Sequence, residues 1–176
     1  MTAGEPSATA GEPSAAAGSP RTARVIVASN RATAGIYPDT SGPILVAGLR
    51  ELGYQVGDPV VVPDGEPVAA ALREAVAAAV AVVLTSGGTG ITPTDRTPDV
   101  TRMLLDYEVP GIAEALRARG AAKLPAAMLS RGLAGVAGRT LIVNLPGSTG
   151  GARDGLAVLG PLLDHAVDQL YGGDHR

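Results

Sequence analysis

Short β-branched runs alternate with longer helical stripes along this chain. "RVIVASN", Arg24 to Asn30, is such a run; it ends in polar residues and predicts a strand. After a loop, "SGPILVAGLRELG" sets Ile44, Leu45, Leu49 and Leu52 at helical spacing, with Ser41 as a cap, Pro43 in the first turn and Gly53 at the stop. "QVGDPVVV" predicts a second strand that runs into "PDGEP". Pro67 then opens a helix whose apolar stripe is Val68, Leu72, Ala75, Val76, Ala79 and Val80. "AVVLTS" is a third strand. Because a helix separates each strand from the next, the economical arrangement has right-handed crossovers and helices on both faces of the sheet, a three-layer α/β/α sandwich with a mostly parallel central sheet.

In the second half, "TPDVTRMLLD" and "VPGIAEALRARG" each carry a proline at a helix start and predict two short helices. "AAMLSRGLAGVAGRTLIVNLPG" reads as short extended pieces around Gly132 and Gly138, followed by a buried strand from Thr140 to Leu145. Gly151 to Tyr171 closes the pattern with Leu156, Leu159, Leu162, Leu163, Ala166, Val167 and Leu170 on one helical face, Pro161 marking a kink or a second start. The beginning is different. "TAGEPSA" occurs at Thr2 to Ala8 and again at Thr9 to Ala15, and this Pro-, Gly- and Ser-rich stretch lacks the large apolar residues whose burial would offset its ordering. Residues 1–22 are expected to form a low-complexity tail and residues 23–173 a single domain.

Composition narrows the functional classes. At 176 residues and 45% hydrophobic content the chain can build one core without disulfides or metal, and it has no cysteine. With neither Phe nor Trp, Leu, Val, Ile and Ala must fill that core, and stacking platforms for bases are scarce. A formal net charge of −3 lacks the basic excess that a nucleic-acid partner requires. No secretory signal is visible, and the aliphatic runs are far short of the roughly 20 residues that span a bilayer. A soluble, cytoplasmic protein binding small molecules is expected. His165 and His175 are the two histidines, and His165 falls on the polar side of its helix.

In an open parallel sheet every strand delivers its chain to the same edge, where ligands bind. The chemically interesting residues all follow strands: Ser29, Asn30 and Arg31 after the first, Asp64 after the second, Ser86 to Asp95 after the third, and Asn144, Pro146, Gly147 and Ser148 at the last. Gly87, Gly88 and Gly90 remove Cβ atoms from the main chain, so that successive amides can form an anion nest to which Ser86 and Thr89 add hydroxyls; the alternative is a tight turn without a ligand. The loop matches neither the P-loop nor the dinucleotide fingerprint, since no lysine follows at the required spacing and Pro93 stands where a third glycine would fall. Ser148 or Thr149 either meets an anion at the helix start or simply caps it. Asp64 and Asp95 are the carboxylates singled out for catalysis. Two carboxylates beside a phosphate nest would repel the ligand unless a divalent cation lay between them, which makes both candidate Mg²⁺ ligands. The plainer alternatives are turn chemistry at "PDGE", and for Asp95 a helix cap or a pair with Arg96. Asp39, in "YPDTSG", is read as a turn or cap residue.

The order "SNRATAGIYPD", "VVPDGEP", "LTSGGTG" with "TDRTPDVT", "EVPGIAE" and "LSRGLAGVAGRTLIVNLPGS" resembles the MogA/MoaB family over nearly all of Arg24 to Leu170. The resemblance implies a molybdopterin-binding fold, assembly as a homotrimer or hexamer, and Mg²⁺-dependent adenylylation of molybdopterin by ATP, giving adenylyl-molybdopterin and pyrophosphate. A molybdenum-insertion protein would then be a partner. Position by position, Asp64 and Asp95 match the family's essential aspartates, Ser86 to Gly90 its pterin and phosphate loop, and Asn144 to Ser148 its nucleotide-binding edge. Two departures bear on substrate preference or rate. Asn30 stands where many relatives carry Asp, and "STGGAR" lacks the lysine often found after the PGS element; Arg31 and Arg153 are the candidates to compensate. Two other functions compete: a carrier that binds the pterin without turnover, as MoaB-like paralogues suggest, and a domain related to the competence protein CinA that acts on another phosphorylated cofactor.

Overall fold

The computed structural model describes residues 20–173, so most of the stretch expected as a tail lies outside the described residues. In chain order the elements are β1 (Thr22–Ala28), α1 (Asn30–Thr33), α2 (Ser41–Glu51), β2 (Gln55–Val56), β3 (Val60–Val62), α3 (Glu66–Ala77) and β4 (Val82–Ser86). There follow α4 (Thr97–Arg102), β5 (Tyr107–Glu108), α5 (Pro110–Ala121), a 3-10 turn over Pro125–Leu129, β6 (Ala134–Ala137), β7 (Thr140–Leu145), α6 (Thr149–Leu159) and α7 (Leu163–Leu170).

The sheet runs β2-β1-β4-β7-β6-β5, with β3 also paired to β1. β1 to β4 and β7 are parallel, while β6 returns antiparallel to β7 and β5 antiparallel to β6. The single second strand expected from "QVGDPVVV" is therefore two pieces. Pro59 has no N–H for the ladder and separates them, so Gln55 pairs beside Thr22 and Val60 beside Ile26. The extended pieces around Gly138 become a hairpin in which Ala137 faces Thr140 and Gly138 turns the chain at φ +59°.

Both faces of the sheet are covered, which is why β1, β4 and β7 read as continuous apolar runs. Val25, Val27, Leu84, Val143 and Leu145 face Leu45 and Leu49 of α2, Leu159 of α6, and Leu163 and Val167 of α7. Ile26, Val83 and Ile142 face the other way, onto Val68, Leu72 and Ala75 of α3, with Val100 of α4 at the margin. Three layers with a mostly parallel sheet result, as expected. The closing helix breaks at Gly160 and Pro161 into α6 and α7.

Two expected helix ends are corrected. Asp39, not Ser41, caps α2: its Oδ1 accepts the amides of Ser41 and Gly42, both at 3.0 Å, together with the Ser41 hydroxyl at 3.1 Å. Ala79 does not continue the α3 stripe. It lies exposed beyond the helix end at φ +52°, where the Ala79 amide bonds to Val76 O and the Val80 amide to Ala75 O. This is a Schellman closure with alanine in the position that glycine usually occupies, and it folds Val80 back onto Ala75 in the core. An L-residue pays for that left-handed backbone, so Ala79→Gly is expected to stabilise the fold by about 0.5–1 kcal/mol, read as a higher urea midpoint at unchanged m.

Candidate active site

The parallel strands bring the ends of β1, β3, β4 and β7 to one edge, and Asp64 stands at its centre. The residue follows β3 and precedes Gly65, whose φ of +92° turns the chain into α3. Asn30, at the start of α1, accepts the Asp64 amide on its side-chain oxygen at 3.1 Å. The carboxylate itself accepts the Gly65 amide at 2.7 Å and the Thr97 hydroxyl at 2.9 Å on Oδ1, and the Arg96 amide at 3.0 Å on Oδ2. Thr97 and Arg96 lie at the start of α4, so one side chain joins two loops. Because the Arg96 amide belongs to the peptide that Asp95 opens, the two aspartates picked from the sequence are brought together.

The glycines of the loop are needed for close packing within the protein. A Cβ at Gly88 would overlap Asp64 Oδ2 and the Thr97 hydroxyl, and one at Gly87 would overlap the carbonyl of Ala28 that ends β1. The vacated space is filled by the protein's own carboxylate and main chain. Both residues also hold positive φ, +96° and +64°. At Gly90 a Cβ would stand 2.7 Å from Asp95 Oδ2. The Gly87 amide is taken by Leu145 O at 3.0 Å, while among the described residues no acceptor meets the amides of Gly88, Thr89 and Gly90.

Asp95 neither caps α4 nor pairs with Arg96. Its Oδ2 accepts the Thr92 amide at 3.0 Å and the Thr92 hydroxyl at 2.6 Å, a closed turn that aims the carboxylate back at Gly90. Arg96 leans instead on Asp99, 3.6 Å away. Asp99 has a closer partner in Arg131, whose hydrogen bond holds the Asp99 carboxyl below the usual carboxylate range.

From β7, Asn144 projects into the interior. Its amide donates to the hydroxyls of Thr85 and Thr101, both at 3.0 Å, and its oxygen accepts the Leu133 amide at 3.3 Å. Ser86 is fully buried, and its hydroxyl is engaged by Ser41 Oγ at 2.9 Å and Pro146 O at 3.2 Å. These two polar groups join strand ends, and both also line the cavities at this edge. Ser29 accepts the Ala32 amide at 3.0 Å and caps α1, Arg31 is exposed on the same turn, and Ser148 caps α6 through the Gly151 amide at 3.0 Å. Gly147 lies so close that a Cβ there would meet the Gly87 Cα at 3.1 Å, putting the β4 and β7 loops in direct contact.

Two cavities flank the Pro146–Ser148 segment. The larger, about 380 Å³, extends from Thr89 and Gly90 past Pro146 and Ser148 to an apolar wall of Leu116 and Leu129. Arg117, Lys123 and Asp154 at its margin had no signal in the sequence beyond a basic helix end. Lys123, hydrogen-bonded at 2.5 Å, and Arg119 hold the Asp154 carboxyl below its ordinary range. The smaller, about 120 Å³, is lined by the polar groups of Ser29, Asp39, Ser41 and Ser86. Thr89 and Gly90 bring the glycine loop to the first cavity, and Asp64 and Asp95 lie against that loop at Gly88 and Gly90, outside the cavity lining. Among the described residues no three His, Cys, Asp or Glu side chains cluster to hold a metal, so a cation here would take Asp64 and Asp95 together with ligand oxygens. That donor set suits Mg²⁺, which is commonly bound by one or two carboxylates plus phosphate.

A family profile described as "Probable molybdopterin binding domain" matches residues 24–165. The "Molybdenum cofactor biosynthesis bifunctional protein" of Chlorobaculum tepidum is 41% identical over 157 residues, 88% of this chain and 50% of the relative, so the chain spans about half that protein's length. The "Molybdopterin adenylyltransferase" of Helicobacter pylori strain J99 is 31% identical over 152 residues, covering 84% of this chain and 86% of that one. Among solved structures, the molybdopterin biosynthesis Mog protein from Mycobacterium ulcerans superposes with a TM-score of 0.82 at 52% identity, over 85% of this chain and 99% of the other.

The different surroundings of the loop glycines predict different responses. Gly87→Ala meets fixed backbone and an unfavourable φ, and should cost more than about 2 kcal/mol in urea unfolding. Gly90→Ala meets only the end of the Asp95 side chain, and should stay within about 1 kcal/mol of the parent while displacing that carboxylate in a crystal structure.

Proposed function

The chain belongs to the molybdopterin-binding-domain family of molybdenum cofactor biosynthesis, and from that premise we propose that it is a molybdopterin adenylyltransferase, using ATP and Mg²⁺. In this reaction the terminal phosphate of the pterin attacks the α-phosphorus of ATP; the bond to the bridging oxygen breaks, and adenylyl-molybdopterin and pyrophosphate leave. The observation that carries the reading is that two carboxylates approach one glycine loop, Asp64 at Gly88 and Asp95 at Gly90, and that Thr89 and Gly90 of the same loop line the larger cavity.

The chemistry needs alignment and charge compensation rather than a protein nucleophile. The amides of Gly88, Thr89 and Gly90 hold phosphate oxygens, while the cavity walled by Leu116 and Leu129 takes the pterin ring. Pro146, Gly147 and Ser148 lie between that cavity and the smaller one and form the nucleotide edge, with Ser29 in the lining of the smaller cavity and Arg31 exposed on the helix turn that Ser29 caps. Ser86 and Asn144 contribute by holding the strand ends in register. Asp64 and Asp95 are the residues that would hold the cation, which when bound offsets the negative charge of the phosphates and of the carboxylates themselves. Asn30 orients Asp64 through its amide without adding a third negative charge. No helix among the described residues is long and apolar enough to cross a membrane.

Pyrophosphate release with molybdopterin and Mg·ATP tests the proposal. Turnover is expected from the parent chain, with a loss of at least about 100-fold in kcat for Asp95→Ala and a comparable loss for Asp64→Asn. Tight pterin binding without any pyrophosphate would show a carrier instead.

A further inference from the structure

Arg131 lies between the 3-10 turn and β6, far along the chain from the glycine loop, yet four of its groups meet the loop or its exit. Its amide donates to Thr89 O at 2.7 Å. Its guanidinium donates from Nε to Gly90 O at 2.8 Å, from Nη2 to Asp95 O at 2.5 Å, and from Nη1 to both Asp99 oxygens at 3.0 and 3.2 Å. Gly90 and Asp95 bracket the exposed segment Ile91 to Thr94, so one planar group fixes both ends of the turn that carries the Asp95 carboxylate. Asp99 in turn fixes the guanidinium from α4. We infer that Arg131 is a positioning residue: by clamping the Gly90 and Asp95 carbonyls at a set distance, it holds the Asp95 carboxylate and the free amides of Gly88 to Gly90 in one arrangement before any ligand arrives. This rests on the adenylyltransferase reading for its consequence in turnover, but not for its structural content.

Lysine cannot replace this function, because an ammonium is a compact point charge and lacks the planar fork that reaches two carbonyls and a carboxylate together. Arg131→Lys and Arg131→Met are the test. Hydrogen exchange of the ligand-free protein should show the Thr92 and Thr97 amides, which close this loop, exchanging at least about tenfold faster in both variants, with β4 and β7 amides unchanged. Calorimetric titration should show Mg·ATP bound about tenfold more weakly, a loss typical when the support of a metal-binding group is removed. In turnover, kcat should fall about tenfold while the KM for molybdopterin stays within about threefold, since the apolar wall of its cavity is untouched by Arg131. Loop exchange and Mg·ATP affinity within about twofold of the parent in both variants would overturn the inference. If Arg131→Met does not fold, Arg131→Lys decides the matter alone. A parent chain that neither binds Mg·ATP nor releases pyrophosphate defeats the enzymatic reading, and the exchange result alone then decides the role of Arg131, which loop exchange within about twofold of the parent overturns.

Discussion

A carboxylate seated where a side chain at position 88 would otherwise be is the constraint on which the crevice depends. Asp64 can approach the β4 loop only because Gly88 offers no Cβ, and it remains there because it accepts the Gly65 and Arg96 amides and the Thr97 hydroxyl. Those donors come from the starts of α3 and α4, so the same contact fixes two helix entries against one loop. A side chain at 88 would displace the carboxylate and strand these donors, two of them backbone N–H groups that must be satisfied somewhere. The site's geometry and the local fold therefore share one interaction.

Behind that contact, strand ends that would otherwise present polar groups to the core are joined in pairs. Asn144 spans from β7 to Thr85 on β4 and to Thr101 on α4, and Ser86 reaches Ser41 on α2 and the carbonyl of Pro146. Each of these side chains is buried, so leaving one partner unpaired would cost on the order of 1–3 kcal/mol. Such networks favour one register of the loops above them, a requirement for chemistry that works by alignment. The packing beneath is permissive by comparison, being made of interchangeable aliphatic side chains in three layers.

Much of this was legible in the sequence because it is periodic or local. The strands β1, β4 and β7 are legible as apolar runs, since both sheet faces are covered, and α2, α3 and α6 by stripes at helical spacing, whereas the two-residue β5 and the four-residue α1 are too short to carry a pattern. Asp64 and Asp95 could be selected because they follow strands, and parallel strands share an edge. What escaped notice was non-local or against propensity. Nothing in "LSRGL" says that Arg131 will cross to Gly90 and Asp95, and nothing in "AAAV" says that Ala79 will adopt a left-handed backbone, because an L-residue there has no preference for it. The glycine loop is legible in the sequence, but the close approach of Ala28 to Gly87 and of Asp64 to Gly88 is not, because sequence spacing cannot place those residues. Ser86 and Asn144 stand out in the sequence as polar residues at strand ends, but polarity alone does not reveal their buried partners, Ser41 and Pro146 for one and Thr85 and Thr101 for the other.

The aspartates of this edge fall into two chemical kinds, and the difference argues for what the site holds. Asp99 is bonded by Arg131, and Asp154 by Lys123 and Arg119; these charges are neutralised inside the protein, and both carboxyls are held below their ordinary range by those partners. Asp64 and Asp95 accept only neutral donors, amides and threonine hydroxyls, and among the described residues neither has an ion-pair partner, although Arg96 directly follows Asp95 and Arg131 bonds the Asp95 carbonyl. Neutral donors orient a carboxylate without cancelling its charge. On the adenylyltransferase proposal, these two carboxylates and the amides of Gly88, Thr89 and Gly90 would take a cation and an anion together, and a metal-bound phosphate is a ligand that supplies both. A lone anion would be repelled by the aspartates, and a lone cation would leave the amides without an acceptor.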